Sequence, residues 1–213
     1  MRRYAYISCA LLVLWSLLTS LFSIGLNDEL YDIIQKSENV NEITCGLTDE
    51  ERMTMNRETA MYLAGRTEGI NGLSERARLH MGDVKNLFSA ARYVMYAVTL
   101  LMIVFTFIAR RKSRKQLVKA FFVSTGIYVL LALVIAGLSV IDFGSLFTVF
   151  HKILFTNDLW LLDPAEDTLI RILPQGFFVK MSVIIAVGAF VRCVIAGVIY
   201  YTLDRLTGRL SES

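Results

Sequence analysis

Four long apolar runs, at residues 4–24, 87–109, 121–141 and 177–203, leave this chain few folds to choose from. Crossing the hydrocarbon layer of a bilayer takes about 20 helical residues, and each run is of that order. Inside lipid no water satisfies backbone N–H and C=O groups, so each run reads as a helix. Of the 213 residues, 55% are hydrophobic and only two are proline. The expected fold class is an all-α integral membrane protein with four transmembrane helices, a single membrane domain over residues 1–213. The first run follows Arg2 and Arg3 and invites comparison with a signal peptide. Its apolar core is too long for that, and no small-x-small cleavage pattern follows it. Nor does Cys9, so close to the N-terminus, suit a lipoprotein cysteine, and the segment reads as a retained helix.

Lys and Arg near the helix ends set the orientation. Arg2 and Arg3 precede the first run, Arg205 and Arg209 follow the fourth, and "RRKSRKQLVK" joins the second to the third with six bases and no acid. These three segments are expected in the cytoplasm, with both termini. Residues 27–86 carry twelve acids against seven bases, and residues 142–176 carry five against two. The two segments are expected to form an extracytoplasmic cap. Positive-inside topology accounts for the basic loop without invoking nucleic acid. Cys9, Cys45 and Cys193 fall in the first helix, the first outer segment and the fourth helix, so no disulfide framework is expected.

The outer segments have helical signals of their own. "TDEE", Thr48 to Glu51, fits a capping box in which side chain and backbone satisfy each other's exposed groups. The helix it starts is expected to stop at Gly65. Ser74 is a candidate N-cap for a helix leading through His80 into the second span. On that helix His80, Asp83 and Leu87 share a face. In residues 142–164, Leu146, Phe147, Phe150, Ile153 and Leu154 fall at helical spacing. The stretch is too short to span and apolar enough to lie in the membrane interface, a level that Trp160 also favours. His80 and His151, the two histidines of the chain, are thus expected in one layer at the outer membrane surface, where they can meet.

His80 with Asp83, completed by His151, is conceivable as a metal site, but the donor set is thin and lacks an HExxH or cysteine cluster. Inert, hydrogen-bonded interfacial histidines are the bland alternative. General acid–base chemistry is the catalytic one, because imidazole titrates near neutrality. With no GxSxG or Cys/His arrangement in the chain, an enzyme of this kind would take its nucleophile from the substrate. A non-enzymatic membrane sensor or small transporter with a His-bearing cap is the competing class. Four helices with only one clear charge deep in a span, Arg192, make a poor transport path.

"HMGDVKNLF" (80–88) and "FHKILFTNDLWLLDPAEDTLIRILPQGFF" (150–178) resemble the bacterial lipoprotein intramolecular transacylases, as does "LTDEERMTMNRETAMYL" upstream. The likeness extends over nearly the whole chain. Ala77 departs from it, standing where an acidic residue is expected in many members, so no carboxylate lies one turn before His80. The resemblance implies a four-span enzyme of the bacterial cell membrane that needs no metal or other cofactor. Its partners would be diacylglyceryl-modified lipoproteins and membrane lipid. The reaction would move the acyl chain on the middle glycerol carbon to the α-amine of the lipoprotein's own N-terminal cysteine, leaving a lyso-form lipoprotein. His80 and His151 would be the catalytic pair. Phe150, Trp160, Asp83, Lys85, Asn157, Asp158, Asp163 and Arg171 would contact or support the substrate, as polar and aromatic residues of the matched motifs. Phe147, Phe155, Phe177 and Phe178, with Phe150 and Trp160, are candidates either to wall an acyl pocket or simply to anchor the chain in the membrane interface. Asp167 is expected in a supporting role.

Overall fold

The structure is a computed structural model that describes residues 2–110 and 114–210. Eight helices and no strand occur among the described residues: α1 (Arg2–Ile24), α2 (Asp28–Ser37), α3 (Glu42–Cys45), α4 (Asp49–Leu63), α5 (Glu75–Arg110), α6 (Arg114–Leu154), α7 (Thr168–Ile172) and α8 (Gln175–Leu210). The four apolar runs fall in α1, α5, α6 and α8, each long and apolar enough to cross a membrane. These helices leave large apolar side chains uncovered; on α6, Phe122, Leu130 and Leu133 are 69%, 62% and 65% exposed. Such a surface is stable against lipid and unstable against water. Most of the basic inner loop, residues 111–113 included, lies outside or at the margin of what is described.

The chain divides into two compact units. One comprises the described residues within 1–20, 94–133 and 185–213, from the four long helices alone. Its interior is built from small side chains, with Ala5, Ser8, Cys9, Ser16, Ala120, Ala189 and Cys193 all buried. Small residues let helices approach closely where lipid supplies no hydrophobic driving force. Gly197 shows the effect directly, since a Cβ there would lie 2.6 Å from the Phe121 ring. Several polar groups in this unit are bonded between helices. Ser8 and Thr106 share a 2.6 Å hydroxyl contact, and the Tyr128 hydroxyl donates to the Ala186 carbonyl at 2.7 Å. Arg192, the charge that the sequence leaves without explanation, donates to Ser20 Oγ at 3.1 Å on an unbroken α8.

The other unit comprises residues 21–93 and 134–184. Its short helices form because their ends are capped. Thr48 and Glu51 make the reciprocal capping box read from the sequence, and Gly65 takes the left-handed conformation (φ 76°) that stops α4. Asn41 and Thr44 make a second box at α3, and Asn27 caps α2. Ser74 caps α5 by accepting from the Ala77 N–H at 3.0 Å. The apolar core joins Val40, Cys45, Met55, Leu63, Ile70, Ala77, Met81, Leu169 and Ile172. Cys45 is fully buried there and so is shielded from any oxidising compartment.

A buried polar network ties α2, α4 and α7 together. Arg52, with no exposed surface, donates to Gln35 Oε1 at 2.6 Å and to Asp32 and Asp49 at 2.7 and 2.9 Å. Gln35 and Asn56 exchange hydrogen bonds, and Gln35 also donates to the Ile172 carbonyl at 2.9 Å. Arg92, inside the second apolar run, donates to the Ala64 carbonyl at 2.8 Å. It thereby neutralises the carbonyl end of α4.

Candidate active site

His80 and His151 meet within the second unit, although 70 residues separate them in the chain. His80 stands two turns into α5, in the polar part that precedes the apolar run, on a helix whose start is fixed by Ser74. His151 is placed by a break in α6. Asp142 leaves helical geometry (φ −155°, ψ 86°) and its carboxylate accepts from the Ser145 N–H at 2.9 Å and the Ser145 hydroxyl at 2.6 Å. Asp142 thus acts as the N-cap of a new helical segment, the short apolar stretch read from the sequence. His151 lies near its end.

The two imidazole centroids are 6.0 Å apart. Aromatic rings close around them. Phe147 and Phe155, one turn either side of His151, lie 3.9 and 5.7 Å from its ring. Trp160 stacks on it at 4.8 Å, with planes 30° apart, and Phe150 meets it edge-on at 5.3 Å. Phe155 also meets the His80 ring edge-on at 5.2 Å, and Phe178 packs on Phe147 at 5.6 Å. Both histidines are buried.

This setting governs their protonation. Burial, and secondly the neighbouring His151, push the His80 imidazole from its ordinary 6.5 down to about 4, with Asp83 pulling weakly the other way. Burial also holds His151 below its ordinary value, against the opposing pull of the Phe147 carbonyl. Both rings are therefore neutral at neutral pH. His151 Nδ1 lies 2.8 Å from the Phe147 carbonyl oxygen. A carbonyl only accepts, so Nδ1 carries the hydrogen and Nε2 keeps its lone pair. His80 Nδ1 is buried without a hydrogen-bond partner among the described residues.

Of the polar candidates, Asp83 and Asn157 join the site directly, Asn157 donating to Asp83 Oδ2 at 2.9 Å. This bond pins the segment after α6 to α5, beside His80. The others engage loop and backbone groups. Lys85 donates to the Thr67 carbonyl at 2.9 Å and lies over the Tyr62 ring. The Asp158 carbonyl accepts from Arg76, Asp163 accepts from the Ala165 N–H at 2.8 Å, and Arg171 donates to Thr168 at 2.9 Å. Asp167 is buried, accepting from Ser74 and from the Asp163 N–H. No local signal marks this Ser74–Asp167 tie in the sequence, because its partners are far apart in the chain. Phe177 is buried edge-on against Tyr31 of α2 at 5.3 Å, so it anchors α8 rather than facing the histidines. Among the described residues no cluster of three or more His, Cys, Asp or Glu side chains is arranged to hold a metal ion.

Comparison with known proteins bears on the family and the fold. The chain matches the family Lipoprotein intramolecular transacylase Lit over residues 6–178, which include both histidines and the whole aromatic cluster. Its structure is similar to the in meso structure of the membrane integral lipoprotein intramolecular transacylase Lit from Bacillus cereus. The TM-score is 0.79 at 24% identity, covering 100% of this chain and 99% of the other. Two variants of that protein, each with one histidine replaced, give TM-scores of 0.77 and 0.76 at 23% and 24% identity. They cover 99% and 100% of this chain and 95% and 96% of theirs. No curated protein sequence matches the chain. Four membrane-length helices, a buried histidine pair and a family match over most of its length lead to one conclusion: the chain belongs to the lipoprotein intramolecular transacylases and is a multi-pass membrane acyltransferase.

Proposed function

We propose that His80 and His151 act together on a diacylglyceryl-modified lipoprotein, moving the acyl chain on the middle glycerol carbon to the α-amine of the N-terminal cysteine. The observation that carries the assignment is the approach of the only two histidines in the chain to 6.0 Å inside an aromatic enclosure. A catalyst for this reaction needs little more than proton transfer and confinement. The nucleophile and the ester belong to one molecule. Attack closes a ring of N, Cα, Cβ, S, two glycerol carbons, ester oxygen and acyl carbon. So flexible a ring closes rarely in solution, and holding its ends together accounts for much of the rate.

His151 offers its Nε2 lone pair and serves as the base that frees the amine. An α-ammonium has a pKa of about 7.7–8.0, so the transfer to a histidine is uphill but accessible. The amine then attacks the acyl carbon. His80, neutral beforehand, takes the proton now acidic on the attacking nitrogen and returns it to the leaving glycerol oxygen. The products are an amide and a glycerol hydroxyl, and His151 finally releases the first proton to water. Asp83, on the same face as His80 and held by Asn157, stabilises the imidazolium that forms transiently. The charge distribution along the chain supports a site on the outer side of the cell membrane, with both termini in the cytoplasm, where the substrate's lipid anchor lies beside it.

The test is the mass and fragmentation pattern of a lipoprotein N-terminus produced with and without this protein. The acyl chain should move from oxygen to nitrogen only when the protein is present. An unchanged diacylglyceryl group with a free amine would refute the proposal.

A further inference from the structure

Two buried polar atoms of the aromatic cluster have no hydrogen-bond partner among the described residues: His80 Nδ1 and Trp160 Nε1. The mechanism above gives the first ring a task. It gives the indole none. Trp160 is 7% exposed, and its ring is stacked on His151 at 4.8 Å and set edge-on to Phe147 at 6.3 Å. Its backbone is held in a tight turn, the Leu162 N–H donating to the Trp160 carbonyl at 3.0 Å and the Leu161 N–H to the Asp158 carbonyl at 3.1 Å. A buried donor without a partner is destabilising, and phenylalanine would fill an aromatic wall without that cost. Indole Nε1–H donates and never accepts, and it does not titrate in the working range of a protein. Its chemistry is therefore limited to holding an acceptor oxygen beside the imidazole it stacks upon.

We propose that Trp160 Nε1–H receives the carbonyl oxygen of the migrating acyl group and stabilises it as the oxyanion forms. The inference rests on the two-histidine reading of the site. As the amine nitrogen bonds to the acyl carbon, the carbonyl π pair moves onto oxygen, which the indole N–H holds. When the pair returns, the bond to the glycerol oxygen breaks and that oxygen takes its proton from His80. Trp160 neither gains nor loses a proton. A preorganised donor of this kind acts in the transition state more than in the ground state, because it meets a full negative charge only there. It also leaves both histidines free for proton transfer.

The experiment uses the full-length protein in detergent with a diacylglyceryl lipopeptide, comparing Trp160→Phe with a variant carrying benzothienylalanine at position 160. The latter keeps the bicyclic ring and replaces N–H by sulfur. Both are expected to lose about 10²–10³-fold in kcat with little change in apparent KM, the loss typical of removing one oxyanion donor. Retention of kcat within about threefold by the benzothienyl protein would overturn the proposal, even if Trp160→Phe is impaired, because the ring and not the N–H would then matter. A change confined to KM would overturn it too. His80→Gln and His151→Gln run in parallel separate the two levels of the argument. If they are inactive while the benzothienyl variant is active, only the role of Trp160 fails; if they are active, the two-histidine reading fails with it.

Discussion

The Nδ1 of His151 sits 2.8 Å from the carbonyl oxygen of Phe147, one turn earlier in the same helix. That contact fixes the tautomer, since only the ring nitrogen can supply the hydrogen. It also joins His151 to the break at Asp142, because the carbonyl belongs to the short segment that Asp142 caps. His80 has no such contact at Nδ1, and Asp83 is the carboxylate whose charge favours its protonated form. The two rings are thus differently prepared, and their titrations test the difference.

Both imidazoles should titrate below the ordinary 6.5, with His80 near 4, in NMR spectra of ring-labelled protein in detergent. The sign of the linked stability follows. An unfolded chain takes up these protons at higher pH than the folded one, so stability should fall as pH drops from 6.5 toward 4. A His80 midpoint at or above 6.5 would contradict the burial argument.

Prolonged chelation should leave acyl transfer intact. The chemistry proposed needs only proton transfer, and the described residues present no cluster of metal donors. Activity lost on chelation and restored by zinc alone would show that the histidine pair is a metal site.

Local and long-range features were unequally legible in the sequence. The four helices were readable because lipid forces a long apolar run into one conformation. Caps at Thr48 and Ser74 were readable because capping is local. The meeting of His80 and His151 could be expected only because a membrane surface confines both to one layer. Helix α2 was missed, although Asn27 and the acids Asp28 and Glu29 mark its start. Its stability comes from packing, with Tyr31 against Phe177 and Gln35 in the Arg52 network, and neither partner is near in sequence. Phe177, which the sequence leaves open between an acyl wall and an anchor, packs on Tyr31, a partner equally distant in the chain.

Arg52→Ala should destabilise the protein by about 3 kcal/mol, the lower end for removing one partner of a buried ion pair. Asp32, Asp49 and Gln35 would all lose a donor. Thermal unfolding in detergent measures the effect. An unchanged Tm would mean that water replaces the guanidinium without penalty, and that the network does not hold α2 to α4.

Orientation is tested by thiol labelling from outside intact protoplasts. The native Cys45 is fully buried and should stay silent, so the probe is a cysteine at Ile43, which is 96% exposed. In a background lacking the native cysteines it should react with a membrane-impermeant reagent, and a cysteine at Ser113 should not. The reverse pattern would put the histidine pair on the cytoplasmic side.

If the two histidines serve one acyl-transfer step, His80→Gln and His151→Gln should each lose about 10²–10⁴-fold in rate. The double variant should be little slower than either, because residues that act as a unit are strongly non-additive. Glutamine keeps hydrogen-bonding capacity and similar bulk but does not titrate near neutrality, so these substitutions test proton transfer more than folding. Each variant should purify like the parent and leave the lipoprotein with its diacylglyceryl group intact and its amine free. Lys85→Gln provides the contrast, since Lys85 is committed to the Thr67 carbonyl and the Tyr62 ring. It should retain measurable activity. Full activity in a well-folded His151→Gln protein would leave the amine without its base, and the two-histidine mechanism would have to be abandoned.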